Sequence, residues 1–248
     1  MQSLEIPVEE LIDRALAEDL SYGDATTETL IPDDQQRKAL IMVKAEGVLA
    51  GIQIAEEVFH KVDPKLGVSI LLRDGARVKP GNIVASVEGK VASILKAERT
   101  VLNFLQRLGG IASETANYVK AVEGLPVQIT DTRKTTPGLR LLEKYAVRVG
   151  GGQNHRMHLG DGILIKDNHL AVLHKQGISF EQIIAKVRQN VSRSSKIEIE
   201  VKTPEEALEA AKARADIIML DNMNLKDMKR AVQLINGRTL IEASGGMT

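Results

Sequence analysis

The chain has 248 residues and no formal net charge, 33 Lys plus Arg standing against 33 Asp plus Glu, which excludes an overall electrostatic footprint for nucleic acid or an anionic membrane and makes any basic patch local. With 43% hydrophobic residues, 27% charged residues and no cysteine, the composition is that of an ordinary globular protein and rules out disulfides, thiolate metal sites and a cysteine nucleophile. Aromatic residues make up 2% of the chain, too few for the base-stacking platforms of single-strand nucleic-acid binders, so the core is aliphatic.

The N-terminal segment is charged too early for a signal peptide, and no apolar run approaches the roughly 18 residues of a membrane span, so a cytoplasmic location is expected. Pro7 followed by Val8, Leu11, Ile12, Ala15 and Leu16 has the three-and-four spacing of a helix with proline in its first turn, ending before Ser21-Tyr22-Gly23-Asp24. From Ala39 to Leu95 the pattern changes to short strand-like runs, ALIMVKA, VLAGI, VSILL, RVKPG and NIVASVEG, with a helix-like AEEVFHKV between them; this part reads as a sheet with helices. Residues 91–122 are helical in character, with an apolar stripe of Ile94, Leu95, Val101, Leu102 and Leu105, and a break is expected at Gly109-Gly110.

The second half has a different rhythm. Apolar strand candidates VQIT, ILI, IEIEV, DIIML and TLIEA alternate with helix-like FEQIIAKVRQNV, PEEALEAAKAR and LKDMKRAVQLI, the signature of βα units in a parallel sheet, with a barrel preferred over an open sheet. No G-x-G-x-x-G or P-loop motif opens any of these helices, so dinucleotide and P-loop nucleotide sites lack their fingerprint.

Charge is distributed unevenly. Residues 1–36 hold ten acids and one base, whereas residues 130–169 hold seven bases and four acids together with His155, His158 and His169. In a β/α barrel the catalytic face is built at the C-terminal ends of the strands, and the charged residues fall at those ends: Asp131, Arg133 and Lys134 after VQIT, Lys166 to His169 after ILI, Glu200 in IEIEV, Asp221 and Asn222 after DIIML, and Ser244-Gly245-Gly246 after TLIEA. Gly150-Gly151-Gly152 leads to Asn154-His155-Arg156.

A rim of this kind suits a polyanion. Arginine forks bind carboxylate or phosphate bidentately, lysine supplies compact charge, and the N–H groups of a Ser-Gly-Gly turn can hold a phosphate. Two acids on neighbouring strands suit ribose hydroxyls or Mg²⁺ carried by a phosphorylated substrate. Taken one at a time, such residues are as often solvated loop groups, and Glu98-Arg99 alone reads as a surface pair; five rim segments together favour a site. His155 and His158, three apart in an irregular segment, make no convincing zinc site, and there is no G-x-S-x-G elbow for a serine hydrolase.

The stretches EDLSYGDATTETLIP, AERTVLNFLQRLGGIAS, TDTRKTTPGLRLLEKYAVRVGGGQNHRMHLGDGILIKDNH, IEIEV, IMLDNM and EASGG resemble the quinolinate phosphoribosyltransferase family, also called nicotinate-nucleotide pyrophosphorylase (carboxylating), from about Val8 to Thr248 in consistent order. The resemblance implies an N-terminal α/β sandwich over residues 1–108 followed by an α/β barrel over residues 109–248. The family pattern continues past EASGG, so the barrel is expected to be truncated at its C-terminus. The implied reaction joins quinolinate to phosphoribosyl pyrophosphate with Mg²⁺ as cofactor and yields nicotinate mononucleotide, pyrophosphate and CO₂. The implied assembly is a homodimer in which Arg99 enters the partner subunit's active site.

Position by position, Arg133, His155, Arg156 and Lys166 fall in the family's quinolinate pocket with His169 close by, and Lys134 lies on the phosphoribosyl pyrophosphate side. Glu200 and Asp221 match its acids for ribose and Mg²⁺-pyrophosphate, and Ser244 with Gly245 its 5′-phosphate turn. The implied catalytic set is Lys134, Glu200 and Asp221. Two alternatives stand beside this reading: a paralogous phosphoribosyltransferase acting on a different acid, and a truncated fragment that only binds or dimerises.

Overall fold

The computed structural model describes residues 8–192 and 194–246. It divides into two compact units, Met1–Met157 and His158–Thr248.

The first unit opens with helix α1 (Val8–Leu20), which buries Leu11 and Ile12; Pro7, expected in its first turn, lies outside the described residues. Lys61 ties α1 to helix α3 (Ile52–Val62) through Glu9 at 2.9 Å and Asp13 at 2.8 Å. Between them lie the short helix α2 (Ala25–Leu30), capped by Asp24, and strands β1 (Gln36–Met42) and β2 (Gly47–Val48). Strands β3 (Gly67–Ile70), β4 (Arg77–Val78) and β5 (Ile83–Lys90) follow. The antiparallel sheet has the order β1-β5-β3, and β2 pairs with β4. Asp74 joins this layer to the helices: its carboxylate accepts the N–H groups of Gly51 (2.8 Å) and Ile52 (2.9 Å) at the start of α3.

The centre of the unit is helix α4 (Val91–Ala121), 31 residues without interruption. The expected break at Gly109-Gly110 does not occur. Ile94, Ala97, Val101, Leu105, Leu108, Ala112 and Ala116 are all buried at helical spacing on both sides of the glycine pair, and burial of that stripe outweighs the roughly 1 kcal/mol that each helix-interior glycine costs. Helix α5 (Arg140–Val149) packs against α4. The predicted strand VQIT is not one either: Thr130 makes only an isolated parallel bridge to Gln153, and Val127 is exposed, so this run lacks a partner along its length among the described residues.

The Gly150-Gly151-Gly152 turn has a packing role. A Cβ on Gly150 would collide with the Ala112 carbonyl and with Thr115, and one on Gly152 would come within 2.8 Å of both Thr115 and Val147. The end of α5 therefore approaches the backbone of α4 too closely for any side chain.

In the second unit, strands β6 (Ile163–Ile165), β7 (Ile197–Val201), β8 (Ile217–Asp221) and β9 (Leu240–Ser244) form a parallel sheet in chain order. Helices α6 (Asp167–His174), α7 (Phe180–Asn190), α8 (Pro204–Lys212) and α9 (Leu225–Ile235) lie between and are the connections that a parallel sheet requires. Ile197, Ile199, Val201, Ile218 and Leu220 pack with Ile183, Ile184, Ala207, Ala210, Ala231 and Ile235 in one core. Capping boxes at Ser179 and Thr203 set the starts of α7 and α8. Among the described residues no helix is long and apolar enough to cross a membrane.

Candidate active site

The residues singled out in the sequence fall in both units, and each unit presents its own set. In the second unit the strand register aligns them. Ile165 pairs with Ile199, so Lys166 is level with Glu200; Glu200 pairs with Met219, and Asp221 with Ser244. Side chains alternate along a strand, so Glu200, Asp221 and Ser244 share one face of the sheet, opposite the apolar residues that pack under the helices. The same parity places Glu198 and Glu242 on that face. Neither had been singled out in the sequence, although the alternation I-E-I-E-V carried the signal for Glu198.

Burial, then the charge of Asp221 and that of Asp167, hold the Glu200 carboxyl above the usual carboxylate range against the opposing pull of Lys166 and Lys202. Asp167 is spoken for by Lys202 at 2.6 Å, which lowers its carboxyl and raises the lysine. His169 Nδ1 accepts the backbone N–H of Lys166 at 2.9 Å, so the neutral ring carries its proton on Nε2. After β9 the chain turns through Gly245 and Gly246 at positive φ, +83° and +63°. A side chain at Gly245 would also overlap Asn222, whose own N–H donates to the Ser244 carbonyl at 2.8 Å.

In the first unit Arg99 is exposed on α4 beside Glu98, on the opposite side from the buried Val101 and Ala97. Arg133 and Lys134 lie in the loop before α5, and His155 and Arg156 in the segment after it. These two segments are joined by a buried ion pair that sequence reading did not single out. Lys144, fully buried, donates to the Asp131 carboxylate and to the His155 carbonyl at 3.1 Å. Asp131 also accepts the His155 N–H (2.8 Å) and the Asn154 side-chain amide (2.6 Å). Arg133 is half-buried, and its Nε has no hydrogen-bond partner among the described residues, which leaves a desolvated cationic edge suited to an anion.

The N-terminal domain model of quinolinate phosphoribosyl transferase matches residues 24–109, and the C-terminal domain model matches residues 111–248. That division falls inside α4, whereas the compact units part between 157 and 158. A probable nicotinate-nucleotide pyrophosphorylase [carboxylating] of Bacillus subtilis is 40% identical over 243 residues, 98% of this chain and 82% of its own length. A quinolinate phosphoribosyltransferase [decarboxylating] of Nicotiana tabacum is 40% identical over 97% of this chain and 72% of its own. The crystal structure of NadC from Streptococcus pyogenes matches with a TM-score of 0.91 at 42% identity, covering 99% of this chain and 87% of that one.

Proposed function

The chain belongs to the quinolinate phosphoribosyltransferase family, and from that membership we propose that it transfers the phosphoribosyl group of phosphoribosyl pyrophosphate to quinolinate, for NAD synthesis. The pyridine nitrogen forms the bond to the anomeric carbon as pyrophosphate leaves with the electron pair of the broken C–O bond. The carboxylate next to that nitrogen then departs as CO₂ and a proton takes its place, giving nicotinate mononucleotide. The observation that carries this reading is the match of both family domains along the chain, from residue 24 to residue 248.

Arg133, His155, Arg156 and Lys166 hold the two carboxylates, with His169 beside them, and Lys134 faces the sugar pyrophosphate. The buried, unpartnered Nε of Arg133 supports its part. Glu200 and Asp221 hold the ribose hydroxyls and the Mg²⁺ that accompanies the pyrophosphate. Two carboxylates on one sheet face, with Glu200 raised by burial and then by the charge of Asp221, are a hard-oxygen donor set that suits this ion. When bound, Mg²⁺ neutralises charge on the leaving pyrophosphate. The Ser244-Gly245 turn takes the 5′-phosphate, and its positive-φ glycines supply the backbone N–H groups of an anion-binding concavity. Bringing a dianion to a polyanion requires such a cationic lining, and the acceleration comes largely from positioning and electrostatic stabilisation.

The working assembly is a cytoplasmic homodimer in which Arg99 completes the partner subunit's site; its exposure on α4 is compatible with that part. Mixing the chain with quinolinate, phosphoribosyl pyrophosphate and Mg²⁺ and weighing the products by mass spectrometry tests the reaction. Nicotinate mononucleotide and released CO₂ are expected; their absence overturns it.

A further inference from the structure

Helix α5 carries polar residues at positions 140, 143, 144 and 148, the spacing of a single helical face. A face of this kind normally meets solvent, but here Glu143 and Lys144 are buried, and each of the four reaches one of the two loops described above. Arg140 donates through Nε to Thr135 Oγ1 at 3.0 Å and through Nη1 to the Met157 carbonyl at 3.2 Å, spanning both loops with one guanidinium. Glu143 accepts the N–H of Thr136 at 3.1 Å. Arg107 on α4 donates to the same carboxylate at 2.5 Å and to Thr136 Oγ1 at 2.7 Å. Lys144 holds Asp131 and the His155 carbonyl, and Arg148 donates to Asn154 Oδ1.

The loop that carries Arg133 and Lys134 is thus gripped at both ends, at Asp131 by Lys144 and at Thr136 by Glu143, two adjacent residues of one helix. The segment carrying His155 and Arg156 is gripped at Asn154, His155 and Met157 by the same helix. Next along α5, Tyr145 points elsewhere and donates to Asp74 at 2.6 Å, which fixes the helix to the start of α3. Burial and the Asp74 charge push its phenol up to about 12, so this anchor stays protonated at neutral pH.

Such an arrangement is costly if it serves stability alone. Burying an ion pair rarely stabilises a fold more than an apolar pair of the same volume would, and packing α5 on α4 does not require the buried Lys144–Asp131 pair. A rigid polar face does set the positions of flexible, cation-bearing loops before a ligand arrives, removing the ordering cost from binding. We propose that the polar face of α5, with Arg140, Glu143 and Lys144 as positioning residues, pre-organises the two loops for a dicarboxylate. This rests on the quinolinate reading above.

Two variants test it. Arg140→Gln removes the guanidinium that spans Thr135 and Met157, one of the links between the loops, without stranding a buried charge. Lys144→Met with Asp131→Asn removes both members of the ion pair together, so the fold is spared an unpaired charge. Amide hydrogen exchange is followed in residues 131–136 and 153–157, with the interior of α4 as reference, and the KM for quinolinate is measured on the folded protein. In both variants exchange in the two loops is expected to rise at least tenfold while α4 is unchanged, and KM to rise at least tenfold whatever the melting temperature does. A role in stability alone predicts the reverse: a lower melting temperature with loop exchange and KM within twofold of wild type. That result, or an acceleration equal in α4 and the loops, overturns the proposal. If the wild-type chain makes no nicotinate mononucleotide, the functional reading fails, while loop exchange still decides whether α5 orders the loops.

Discussion

Glu200 and Asp221 project from adjacent parallel strands onto the same face of the second unit's sheet, and the charge of Asp221 adds to burial in holding the Glu200 carboxyl above its ordinary value. Such a pair is uncomfortable in the folded chain alone. A carboxyl raised on folding makes the native state bind more protons than the unfolded chain, so ionising Glu200 subtracts stability. The loss sets in as pH rises from the ordinary carboxylate range, about 4.3, through the raised folded value.

Glu200→Gln is therefore expected to raise the melting temperature at neutral pH, and the gain should vanish as pH falls below about 4. The same variant should lose turnover, because it removes one of the two acids proposed for ribose and Mg²⁺. Thermal melts from pH 4 to pH 8 check the first part; a Glu200→Gln melting temperature at or below wild type across that range would remove the argument.

Gly150→Ala should destabilise the first unit by about 1–3 kcal/mol, the cost of forcing volume into a closed contact, since the new Cβ meets the Ala112 carbonyl. Gly160, with nothing within 4 Å of a built Cβ and no positive φ, is the control: Gly160→Ala should shift stability by no more than about 0.5 kcal/mol. Urea melts of both variants distinguish a packing glycine from a merely permissive one.

Lys134→Ala and Arg156→Ala are each expected to lower kcat/KM at least about tenfold, or roughly 1.4 kcal/mol of transition-state stabilisation, with the fold intact. Nicotinate, which lacks one carboxylate, should be a poor substrate, because a cation placed for that group would be left without its counter-charge. Wild-type-like kinetics in either folded variant would remove that residue from the site, and comparable kcat/KM for the two acids would show that the site does not read a dicarboxylate.

If Arg99 completes the partner's site, an Arg99→Ala chain and a Lys134→Ala chain, each nearly inactive, should recover activity on subunit exchange. Half the dimers are then mixed, and one site in each carries neither substitution, so activity should approach about a quarter of wild type for independent sites. Exchange verified by mass with no return of activity would place Arg99 in its own subunit's chemistry.

Helices α1, α3 and α7 to α9, the helical character of residues 91–122 though not the continuity of α4, and strands β6 to β9 were readable from periodicity alone, because alternation and three-and-four spacing are local consequences of which face is buried. The positions of Lys166, Glu200, Asp221 and Ser244 near strand ends came with them, since a strand's end is as local as the strand. What local pattern could not decide is where a competing long-range term wins. Gly109-Gly110 carries a breaker signal that the packing of α4 overrides, and VQIT carries a strand signal with only a bridge at Thr130 to pair with. The Gly-rich run before His155 reads as a turn leading to Asn154-His155-Arg156, and only the close contact with α4 shows why Gly150 and Gly152 must be glycine. Lys144 and Glu143 look like surface charges on an amphipathic helix. Only the tertiary structure turns them inward, because their partners Asp131, Thr136, His155 and Arg107 come from loops and a helix that no period within α5 can specify.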